Sequence, residues 1–335
     1  MTSTVAIMGA GSWGTAFAKL VADAGHDAML WARDADVVNA INATRRNPGF
    51  HPDLILPERV RATHEAPSAL SVADFAVLAV PAQSLRGNLQ SWAPHLTPGC
   101  VVVSLLKGVE AHSYLRMSEV IAEVTGLSAQ RLAVLSGPNL AAEIAQGQPA
   151  ATTIACVDES VAERVQQVCG GPRFRPYTTT DVIGTEIGGA AKNIVAVAAG
   201  IAIGLGFGEN AQAALITRGL AEITRLGVQL GADARTFSGL AGMGDLVATC
   251  GSPLSRNRTF GEHIGRGLTV AQASSATRGT CEAFETSRAL LALGQAHNIA
   301  LPITSEVVQV LHHDASPRDL VAKLMSRDMK SELRP

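Results

Sequence analysis

Short, continuous runs of apolar residues recur through the first half of the chain and predict buried strands. They lie at residues 4–8, 27–31, 75–80, 100–106, 132–135, 151–157 and 174–177. Runs of this length without polar alternation are typical of parallel strands that helices cover on both faces. Helical segments are predicted between them at residues 15–24, 83–92, 141–146 and 160–168. Strands and helices therefore alternate to about residue 180, which predicts a doubly wound α/β domain.

The apolar pattern changes after residue 180. Strand-like runs disappear, and apolar residues recur at a helical period in alanine-rich segments at 211–230, 284–297 and 304–312, with a final turn or helix from Pro317. We therefore expect two domains. The first is a Rossmann-type α/β domain with a doubly wound parallel sheet over residues 1–180, and the second is an all-α domain over residues 181–335.

The first predicted strand runs directly into a glycine motif, Gly9-x-Gly11-x-x-Gly14, that opens the first predicted helix. Gly9 would permit a tight turn, Gly11 would let the backbone approach a pyrophosphate, and Gly14 would let the helix pack closely on the strand. The helix N-terminus would offer N–H donors to the phosphates. In this context the motif predicts dinucleotide binding, although a strand–helix turn without a ligand can share the spacing.

Composition narrows the range of partners. The 335 residues are 47% hydrophobic and 17% charged, with a net charge of −2. The chain is therefore globular, and it lacks the basic excess that nucleic acid binding requires. No run of about 20 apolar residues predicts a membrane span, and no signal peptide precedes the first strand, so we expect a cytoplasmic protein. Five scattered cysteines and an isolated histidine pair predict no metal site.

Arg33, two residues after the second predicted strand, is relevant to the choice between NAD and NADP. Arg33 stands where NAD-binding folds usually carry an acidic side chain for the ribose hydroxyls. An arginine there could pair with the 2′-phosphate of NADP, whereas Asp34 leaves NAD use open. We expect NADP or NAD as the cofactor, with NADP favoured. The alternative is that Arg33 is only a solvent-exposed side chain at the end of the strand and binds no cofactor.

Polar residues at later strand and helix positions are candidates for a reaction site. Lys107 follows one strand, and Gly137 and Asn139 follow another, at the sheet edge where ligands of open α/β folds bind. Lys192 lies in a predicted helix of small residues, where burial would lower its pKa toward the range useful for proton transfer. Lys107 also has an ordinary explanation as a solvated loop lysine, and Asn139 has one as a helix N-cap.

Two later segments extend the candidate set. Asp245 follows a pair of glycines and could orient or charge-balance Lys192. The run Ser255-Arg256-Asn257-Arg258 offers two cations and two hydrogen-bonding groups, a suitable clamp for one phosphate dianion. Taken alone, Asp245 could be a helix-capping aspartate, and the run that begins at Ser255 could be a run of arginines on the surface. Together with Lys107 and Lys192 they indicate a site for an anionic substrate.

The ordered set of motifs resembles the bacterial NAD(P)-dependent sn-glycerol-3-phosphate dehydrogenases over nearly the whole chain. The resemblance rests on the glycine motif with Ser12-Trp13, then LLKG, SGPN, EIGGAAKN, NAQAALITRGLAEITRLG, GLAGMGDLVATC, SRNR and LPIT, in that family's order. It implies reversible hydride transfer between NAD(P)H and dihydroxyacetone phosphate. The product would be the sn-glycerol 3-phosphate with which phospholipid synthesis begins.

The resemblance also implies a role for each matching residue. In that family the lysine matching Lys192 exchanges a proton with the C2 oxygen, and the aspartate matching Asp245 lies beside it. The implied substrate contacts are Lys107, Gly137, Asn139, Lys192, Asn193, Asp245, Thr249, Ser255, Arg256 and Asn257. The implied cofactor contacts are Gly9, Gly11, Ser12, Trp13, Gly14, Arg33, Lys107, Ala141, Arg256, Thr280 and Glu282. Asn139 departs from the family's usual serine or threonine, and the loop that contains Thr280 departs from its more apolar version.

Two other functions stay open on the sequence alone. Another hydroxyacid or hydroxyacyl dehydrogenase could share the two-domain layout, but it would not need Arg256 and Asn257. A non-catalytic redox sensor would bind NAD(P)H and turn over no ketone. We expect a small-molecule substrate, no nucleic acid partner, no membrane span and a possible homodimer.

Overall fold

The computed structural model describes residues 2–277, 279–326 and 331. Its strands are β1 (Thr4–Met8), β2 (Asp27–Trp31), β3 (Val60–Thr63), β4 (Phe75–Leu78), β5 (Val101–Ser104), β6 (Leu132–Ser136), β7 (Ala150–Ala155) and β8 (Phe174–Thr179). The helices up to β8 are α1 (Ser12–Asp23), α2 (Ala35–Thr44), α3 (Ala66–Leu70), α4 (Leu85–Trp92), α5 (Met117–Thr125), α6 (Ala141–Ala145) and α7 (Glu159–Cys169).

The chain after β8 is helical wherever the structure describes regular elements. These helices are α8 (Val182–Gly204), α9 (Glu209–Gln229), α10 (Ala234–Phe237), α11 (Asp245–Gly251), α12 (Arg256–Gly265), α13 (Val270–Ala276), α14 (Ala283–Ala296), α15 (Pro302–His312) and α16 (Pro317–Met325). A π-helical turn, Leu240–Gly244, leads into α11. The predicted class, a doubly wound Rossmann-type domain followed by an all-α domain, is therefore confirmed.

The eight strands form one sheet in the order β3-β2-β1-β4-β5-β6-β7-β8. All neighbouring pairs are parallel except β6 and β7, which are antiparallel. This pair departs from the all-parallel sheet that the apolar runs predicted. The connection from β6 to β7 contains only the five-residue α6, so the chain turns back beside β6 instead of crossing over the sheet.

The sequence pattern missed several short elements, among them β3, α2, α5 and the helices from α10 to α13. β3 is an edge strand in which Arg61 is exposed between buried Val60 and Ala62. An edge strand lacks the continuous apolar run by which the central strands are recognised. The short helices have too few turns to show a helical period.

The strands are buried on both faces because helices cover both sides of the sheet. In β1, Val5 and Ile7 pack in one core with residues of α1, α2, α6 and α7. Ala6 and Met8 pack in a second core with residues of α3, α4 and α5. Successive side chains of a strand point to opposite faces, so all four residues are apolar and completely buried.

Helix α8 is the central element of the helical domain. Its residues from Gly184 to Ala202 are all buried. Within the described residues it is the one helix that is long and apolar enough to cross a membrane, but 89% of its most apolar window is buried inside the fold. A helix that is apolar all round belongs in a core when other helices surround it, and α8 packs against α9, α11, α12, α14 and α15.

Four glycines let α8 and α12 approach each other backbone to backbone. A Cβ at Gly200 or Gly204 of α8 would clash with the carbonyl oxygens of Arg258 and Glu262. A Cβ at Gly261 or Gly265 of α12 would clash with backbone oxygens of α8, those of Val197 and Ile201. Each helix thus presents two glycines four residues apart, on one face, to the backbone of the other.

This contact predicts a large cost for a single methyl group. We expect Gly200→Ala to lower the free energy of unfolding by about 1–3 kcal/mol or more, because the neighbour that must move is backbone. Gly87→Ala in α4 is the matched control, since a Cβ there meets nothing within 4 Å and alanine improves helix propensity by up to about 1 kcal/mol. Urea denaturation measures both variants. Equal stabilities of the two would contradict the glycine contact.

Candidate active site

The glycine motif lies at the carboxyl end of β1, where β1 pairs with both β2 and β4. Gly9 has a φ of +134°, and a Cβ there would lie 2.7 Å from the carbonyl oxygen of Ala79, the residue after β4. A Cβ at Gly14 would clash with the carbonyl oxygen of Gly9. Two of the three glycines are therefore required by the turn itself.

Gly11 has no such steric reason among the described residues, because a Cβ there would meet none of their atoms within 4 Å. It is the N-cap of α1 and makes no side-chain capping hydrogen bond. The uncapped start of a helix offers N–H groups to an anion. The geometry thus fits the close approach of a dinucleotide pyrophosphate at Gly11, which is the role that the motif predicted.

Two residues that the sequence pattern did not identify hold this loop in place. Asn47 is buried, and its Nδ2 donates to the carbonyl oxygen of Ala10 at 2.9 Å and to Thr15 Oγ1 at 2.8 Å. His51 Nε2 lies 2.9 Å from the carbonyl oxygen of Ser12. A carbonyl only accepts, so this nitrogen carries the hydrogen. Both residues lie in an irregular segment, and no spacing rule connects them to the glycine motif.

Three further residues that the sequence connects with the cofactor lie in α1 and just after β2. Trp13 lies edge-on to Phe17, and its buried Nε1 has no hydrogen-bond partner among the residues that the structure describes. Arg33 is exposed just beyond β2. Asp34 is the N-cap of α2, and its Oδ1 accepts from the backbone N–H of Asp36 at 2.9 Å. The carboxylate of Asp34 is therefore occupied in capping a helix.

Lys107 and the loop after β6 meet at the carboxyl edge of the sheet. Lys107 Nζ donates to the carbonyl oxygen of Gly137 at 2.8 Å. Gly137 has a φ of +153°, and a Cβ there would lie 2.9 Å from Thr152 Oγ1. Asn139 Nδ2 donates to the same Thr152 Oγ1 at 3.0 Å, and its buried Oδ1 has no partner within the described part of the chain. Leu140, not Asn139, is the N-cap of α6, so the capping alternative for Asn139 is wrong.

One buried carboxylate joins the two candidate lysines. Asp245, the first residue of α11, is 2% exposed. Its Oδ2 lies 2.5 Å from Lys107 Nζ, and its Oδ1 lies 3.1 Å from Lys192 Nζ. Lys192 Nζ also donates to Thr249 Oγ1 at 2.6 Å, and that hydroxyl donates to Asp245 Oδ1 at 3.1 Å. Lys107, Lys192, Asp245 and Thr249 thus form one hydrogen-bonded cluster.

Burial sets the protonation behaviour of this cluster. Lys192 is 7% exposed, and the loss of solvent lowers its pKa to about 8 against the opposing attraction of Asp245. Burial also opposes the charge on Asp245, but the charges of Lys107 and Lys192 outweigh it and lower the pKa of the carboxyl. The small-residue helix therefore produces the pKa shift that the sequence predicted for Lys192.

The small residues around Lys192 serve close packing of other segments. A Cβ at Gly188 would lie 2.6 Å from the carbonyl oxygen of Ala241 in the π-helical turn. A Cβ at Gly189 would lie 2.5 Å from Ser136 Oγ at the end of β6. The turn that precedes Asp245 and the loop that carries Gly137 can therefore both reach α8. π-Helical turns recur at functional sites.

A chain of side-chain amides connects Lys107 to α12. Asn193 Nδ2 donates to the carbonyl oxygen of Lys107 at 3.2 Å, and Asn257 Nδ2 donates to Asn193 Oδ1 at 2.9 Å. Asn257 Oδ1 then accepts from Cys281 Sγ at 3.0 Å and from the backbone N–H of Ala283 at 3.3 Å. A carbonyl at one end and an N–H at the other determine the orientation of both amides.

The amino end of α12 lies at this amide chain. Ser255 is the N-cap, and its Oγ accepts from the backbone N–H of Arg258 at 3.3 Å. Arg256 is exposed in the first turn. Arg258, in the same turn, instead pairs with Glu262 at 3.0 Å, so of the two cations Arg256 is the one without a salt bridge among the described residues. A helix N-terminus with an arginine and an amide suits a phosphate group.

The loop before α14 brings the last predicted residues to the same edge. Glu282 Oε1 accepts from the backbone N–H of Ala82, after β4, at 3.4 Å, and burial raises the pKa of Glu282. Thr280 is exposed in the preceding loop, and Ala141 begins α6. Cys281, between Thr280 and Glu282, contacts Asn257; the sequence offered no signal for that contact.

The structure therefore brings most predicted residues into one continuous region along the carboxyl edge of the sheet and the facing side of α8. Arg33 lies apart from the lysine cluster, beyond β2, as a position for the far end of a dinucleotide requires. Among the described residues, no group of three or more His, Cys, Asp or Glu side chains could hold a metal ion.

Comparison with known proteins gives consistent matches over the whole chain. The family models described as NAD-dependent glycerol-3-phosphate dehydrogenase N-terminus and C-terminus match residues 4–162 and 181–322. The chain is 55% identical to "Glycerol-3-phosphate dehydrogenase [NAD(P)+]" of Thermobifida fusca and 56% identical to that of Frankia casuarinae, each over 98% of both chains.

Solved structures agree with the sequence matches. The crystal structure of glycerol-3-phosphate dehydrogenase from Coxiella burnetii superimposes with a TM-score of 0.93 at 36% sequence identity. The match covers 97% of this chain and 99% of the other. The similarity therefore extends over both the sheet and the helical region.

Proposed function

Because the chain belongs to the NAD-dependent glycerol-3-phosphate dehydrogenase family, we propose that it interconverts dihydroxyacetone phosphate and sn-glycerol 3-phosphate with Lys192 as the proton donor and acceptor. The cofactor is NADP or NAD. The reaction supplies the glycerol phosphate from which phospholipids are made. The observation that carries the assignment of roles is the cluster in which Asp245 contacts both Lys192 and Lys107.

Reduction of a ketone by hydride creates negative charge on its oxygen, which needs a proton and nearby positive charge. An ammonium group has three hydrogens. One hydrogen of Lys192 goes to Thr249 and one is directed at Asp245, which leaves the third for the substrate oxygen. A pKa of about 8 makes Lys192 a far better proton donor near neutral pH than an ordinary lysine.

The phosphate of the substrate has a matching position at the amino end of α12. We assign it to Ser255, Arg256 and Asn257, with Asn193 linked to Asn257 by a hydrogen bond of 2.9 Å. The same linkage reaches the backbone of Lys107. Hydrogen bonds thus connect the proposed phosphate site with the backbone of Lys107 in the lysine cluster. A substrate whose phosphate is held there would also have its reacting carbon positioned beside the lysines. Gly137 and the free Oδ1 of Asn139 complete the proposed substrate contacts.

The dinucleotide supplies and accepts the hydride when it is bound. We assign its pyrophosphate to the glycine motif with Ser12 and Trp13, whose Nε1 is a buried donor that no described residue accepts from. We also assign Ala141, at the start of α6, and Thr280 and Glu282, in the loop before α14, to the binding of the cofactor. Arg33 supports a preference for NADP, since it is exposed and the nearest acid, Asp34, is engaged in capping α2.

We propose that the chain divides near residue 180 into a dinucleotide-binding domain and a substrate-binding domain, with contributions from each domain to the other's ligand. The N-terminal residues 1–180 would bind the dinucleotide, and residues 181–335 would supply Lys192, Asp245 and the phosphate clamp. The predicted cytoplasmic location is consistent with the buried position of the one long apolar helix among the described residues. The homodimer stays a prediction; sedimentation velocity of the purified protein would test it, and a monomer at micromolar concentration would contradict it.

The proposed role of Lys192 is tested by kinetics. We expect the protein to oxidise NADPH with dihydroxyacetone phosphate at a kcat/KM that falls as the pH rises through about 8, because the amine must be protonated to donate. Lys192→Ala is expected to lower kcat by about 10²–10⁴-fold and to leave the NADPH dissociation constant, measured by fluorescence titration, nearly unchanged.

Two controls accompany this measurement. Lys323→Ala removes an exposed lysine that is paired with Glu306, and it should keep full activity. Unphosphorylated dihydroxyacetone should be poorer than dihydroxyacetone phosphate by about 10²–10⁴-fold in kcat/KM, the value of two charged hydrogen bonds. Near-normal turnover by Lys192→Ala would rule out its role in proton transfer, and equal use of both ketones would rule out the phosphate clamp.

The choice of dinucleotide is tested at Arg33. Arg33→Ala should lower kcat/KM for NADPH by about 10–100-fold, the cost of one or two lost charge-assisted hydrogen bonds, while kcat/KM for NADH changes little. Arg59→Ala is the matched control, because Arg59 is an exposed arginine that pairs with Asp27 at the opposite end of β2. If Arg33→Ala left the ratio of the two kcat/KM values unchanged, Arg33 would not read the 2′-phosphate.

A further inference from the structure

Glu186 is a buried carboxylate of α8 that has no part in the site described above. It is 5% exposed. Its Oε1 accepts from the backbone N–H of Ser118 at 2.8 Å, and its Oε2 accepts from Arg116 Nη1 and Ser118 Oγ, both at 2.6 Å. Burial raises the pKa of Glu186 against the opposing charge of Arg116. Because α5 belongs to the sheet domain, this carboxylate links that domain to the central helix of the other.

The contact has a clear electrostatic reason. Ser118 is the second residue of α5, and the first N–H groups of a helix have no acceptor within the helix. A carboxylate placed there is stabilised by the helix dipole as well as by the hydrogen bond. Arg116, the N-cap of α5, adds a cation that also pairs with Glu119 at 2.8 Å. Glu186 therefore caps a helix of the neighbouring domain.

The residues bound by Glu186 lie at the end of the loop that begins with Lys107. Val109 and Arg116 form an antiparallel bridge, and the backbone N–H of Glu110 donates to the carbonyl oxygen of Leu115 at 3.0 Å. Residues 107–118, which we call the lysine hairpin, therefore return close to their starting point. A displacement at Arg116 is transmitted directly to Val109, two residues from Lys107.

Helix α8 holds the lysine hairpin at two positions. Asn193 binds the carbonyl oxygen of Lys107 at 3.2 Å, and Glu186 binds the far end of the hairpin. The two residues are seven positions apart on α8, which is two turns and about 10 Å along one face of the helix. Two anchors on a rigid helix determine where Lys107 lies relative to Lys192, which is on the same helix.

We propose that Glu186 is a positioning residue for Lys107: it secures the lysine hairpin on α8 and thereby keeps the ammonium of Lys107 on Asp245, beside Lys192. This inference rests on the proposed function, in which Lys192 donates the proton and Asp245 is shared between the two lysines. Glu186 itself contacts neither substrate nor cofactor in this proposal, so its effect is exerted through Lys107.

The position of Lys107 has a measurable consequence for Lys192. The charged and titratable groups that act on Lys192 are Asp245 and Cys250 of α11 and Lys107 of the hairpin. Asp245 raises the pKa of Lys192, whereas Lys107 lowers it by repulsion. If Lys107 moves away, Lys192 loses the repulsion and no longer shares the carboxylate. The pKa of Lys192 then rises, and the pH at which kcat/KM for ketone reduction falls on the alkaline side (the alkaline limb) becomes higher.

The test compares Glu186→Gln with Glu222→Gln. Glu222 of α9 is the matched control because it is 3% exposed and caps α15 in the same way, by accepting from the N–H groups of Ile303 and Thr304 and from Thr304 Oγ1 at 2.7–2.9 Å. Both variants should lower the melting temperature. Only Glu186→Gln should also lower kcat/KM for dihydroxyacetone phosphate, by about 10–100-fold, and move the alkaline limb upward by about half a pH unit or more.

The outcomes separate positioning from a structural role. If Glu186→Gln and Glu222→Gln behave alike, or if the alkaline limb of folded Glu186→Gln stays in place, the inference is overturned. Should Glu186→Gln not fold, Ser118→Ala takes its place, since it removes one donor to Glu186 and keeps the Arg116 ion pair. A smaller upward shift in Ser118→Ala supports the inference, and no shift overturns it.

A second readout does not depend on turnover. The pKa of Lys192, followed by NMR of protein with ¹³C-labelled lysine, should rise in Glu186→Gln and stay unchanged in Glu222→Gln. If the wild-type protein did not reduce dihydroxyacetone phosphate, the proposed function would fail while this titration still tested the positioning. An unchanged pKa of Lys192 in an active, folded Glu186→Gln variant would overturn the positioning alone.

Discussion

The backbone contact between α8 and α12 determines where the reactive side chains lie. Gly200 and Gly204 of one helix and Gly261 and Gly265 of the other remove the side chains that would hold the two helices apart. At the amino end of α12 this contact brings Asn257 within 2.9 Å of Asn193, the neighbour of Lys192. The proposed phosphate clamp and proton donor are thus positioned by the packing of two helices, not by a flexible loop.

The site combines two buried charged groups, Lys192 and Asp245, with the half-buried Lys107, and these charges are not balanced. Lys107 and Lys192 share the single carboxylate of Asp245, so the cluster has one excess positive charge. An unpaired buried charge is costly in an apolar interior. Burial, with a smaller contribution from the repulsion by Lys107, lowers the pKa of Lys192. The excess positive charge suits the anionic substrate of the proposed reaction, whose oxygen would gain negative charge during reduction. In the proposed reaction the polar residues of the site would therefore stabilise the transition state at a cost to the stability of the free protein.

Helix α8 links these features because it contacts α5, the lysine cluster and α12. Its first turns bind α5 through Glu186, its middle carries Lys192 and Asn193, and its last turns pack against α12. Small residues are needed throughout, since Gly188 and Gly189 admit the π-helical turn and the end of β6. Helix α8 is long and apolar because the surrounding helices bury nearly all of it.

The sequence alone determined the alternation of strands and helices, the glycine turn and the helical character of the second half, because each depends on neighbours in the chain or on a regular period. The desolvation of Lys192 was predictable for the same reason, from the small residues beside it. Asn47, His51, Cys281 and Glu186 gave no signal of their partners, which lie between 24 and 70 positions away.

Only the tertiary structure decided the antiparallel return of β7, the pairing of Arg258 with Glu262 in place of the clamp, and the sharing of Asp245 between two lysines. Hydrogen bonds between segments that are distant in sequence depend on how whole helices pack against each other, since a small change in a helix's direction moves the side chains along its length. A pattern of residue types therefore identifies the groups that can react, while the packing of α8 with its neighbours decides which of them meet.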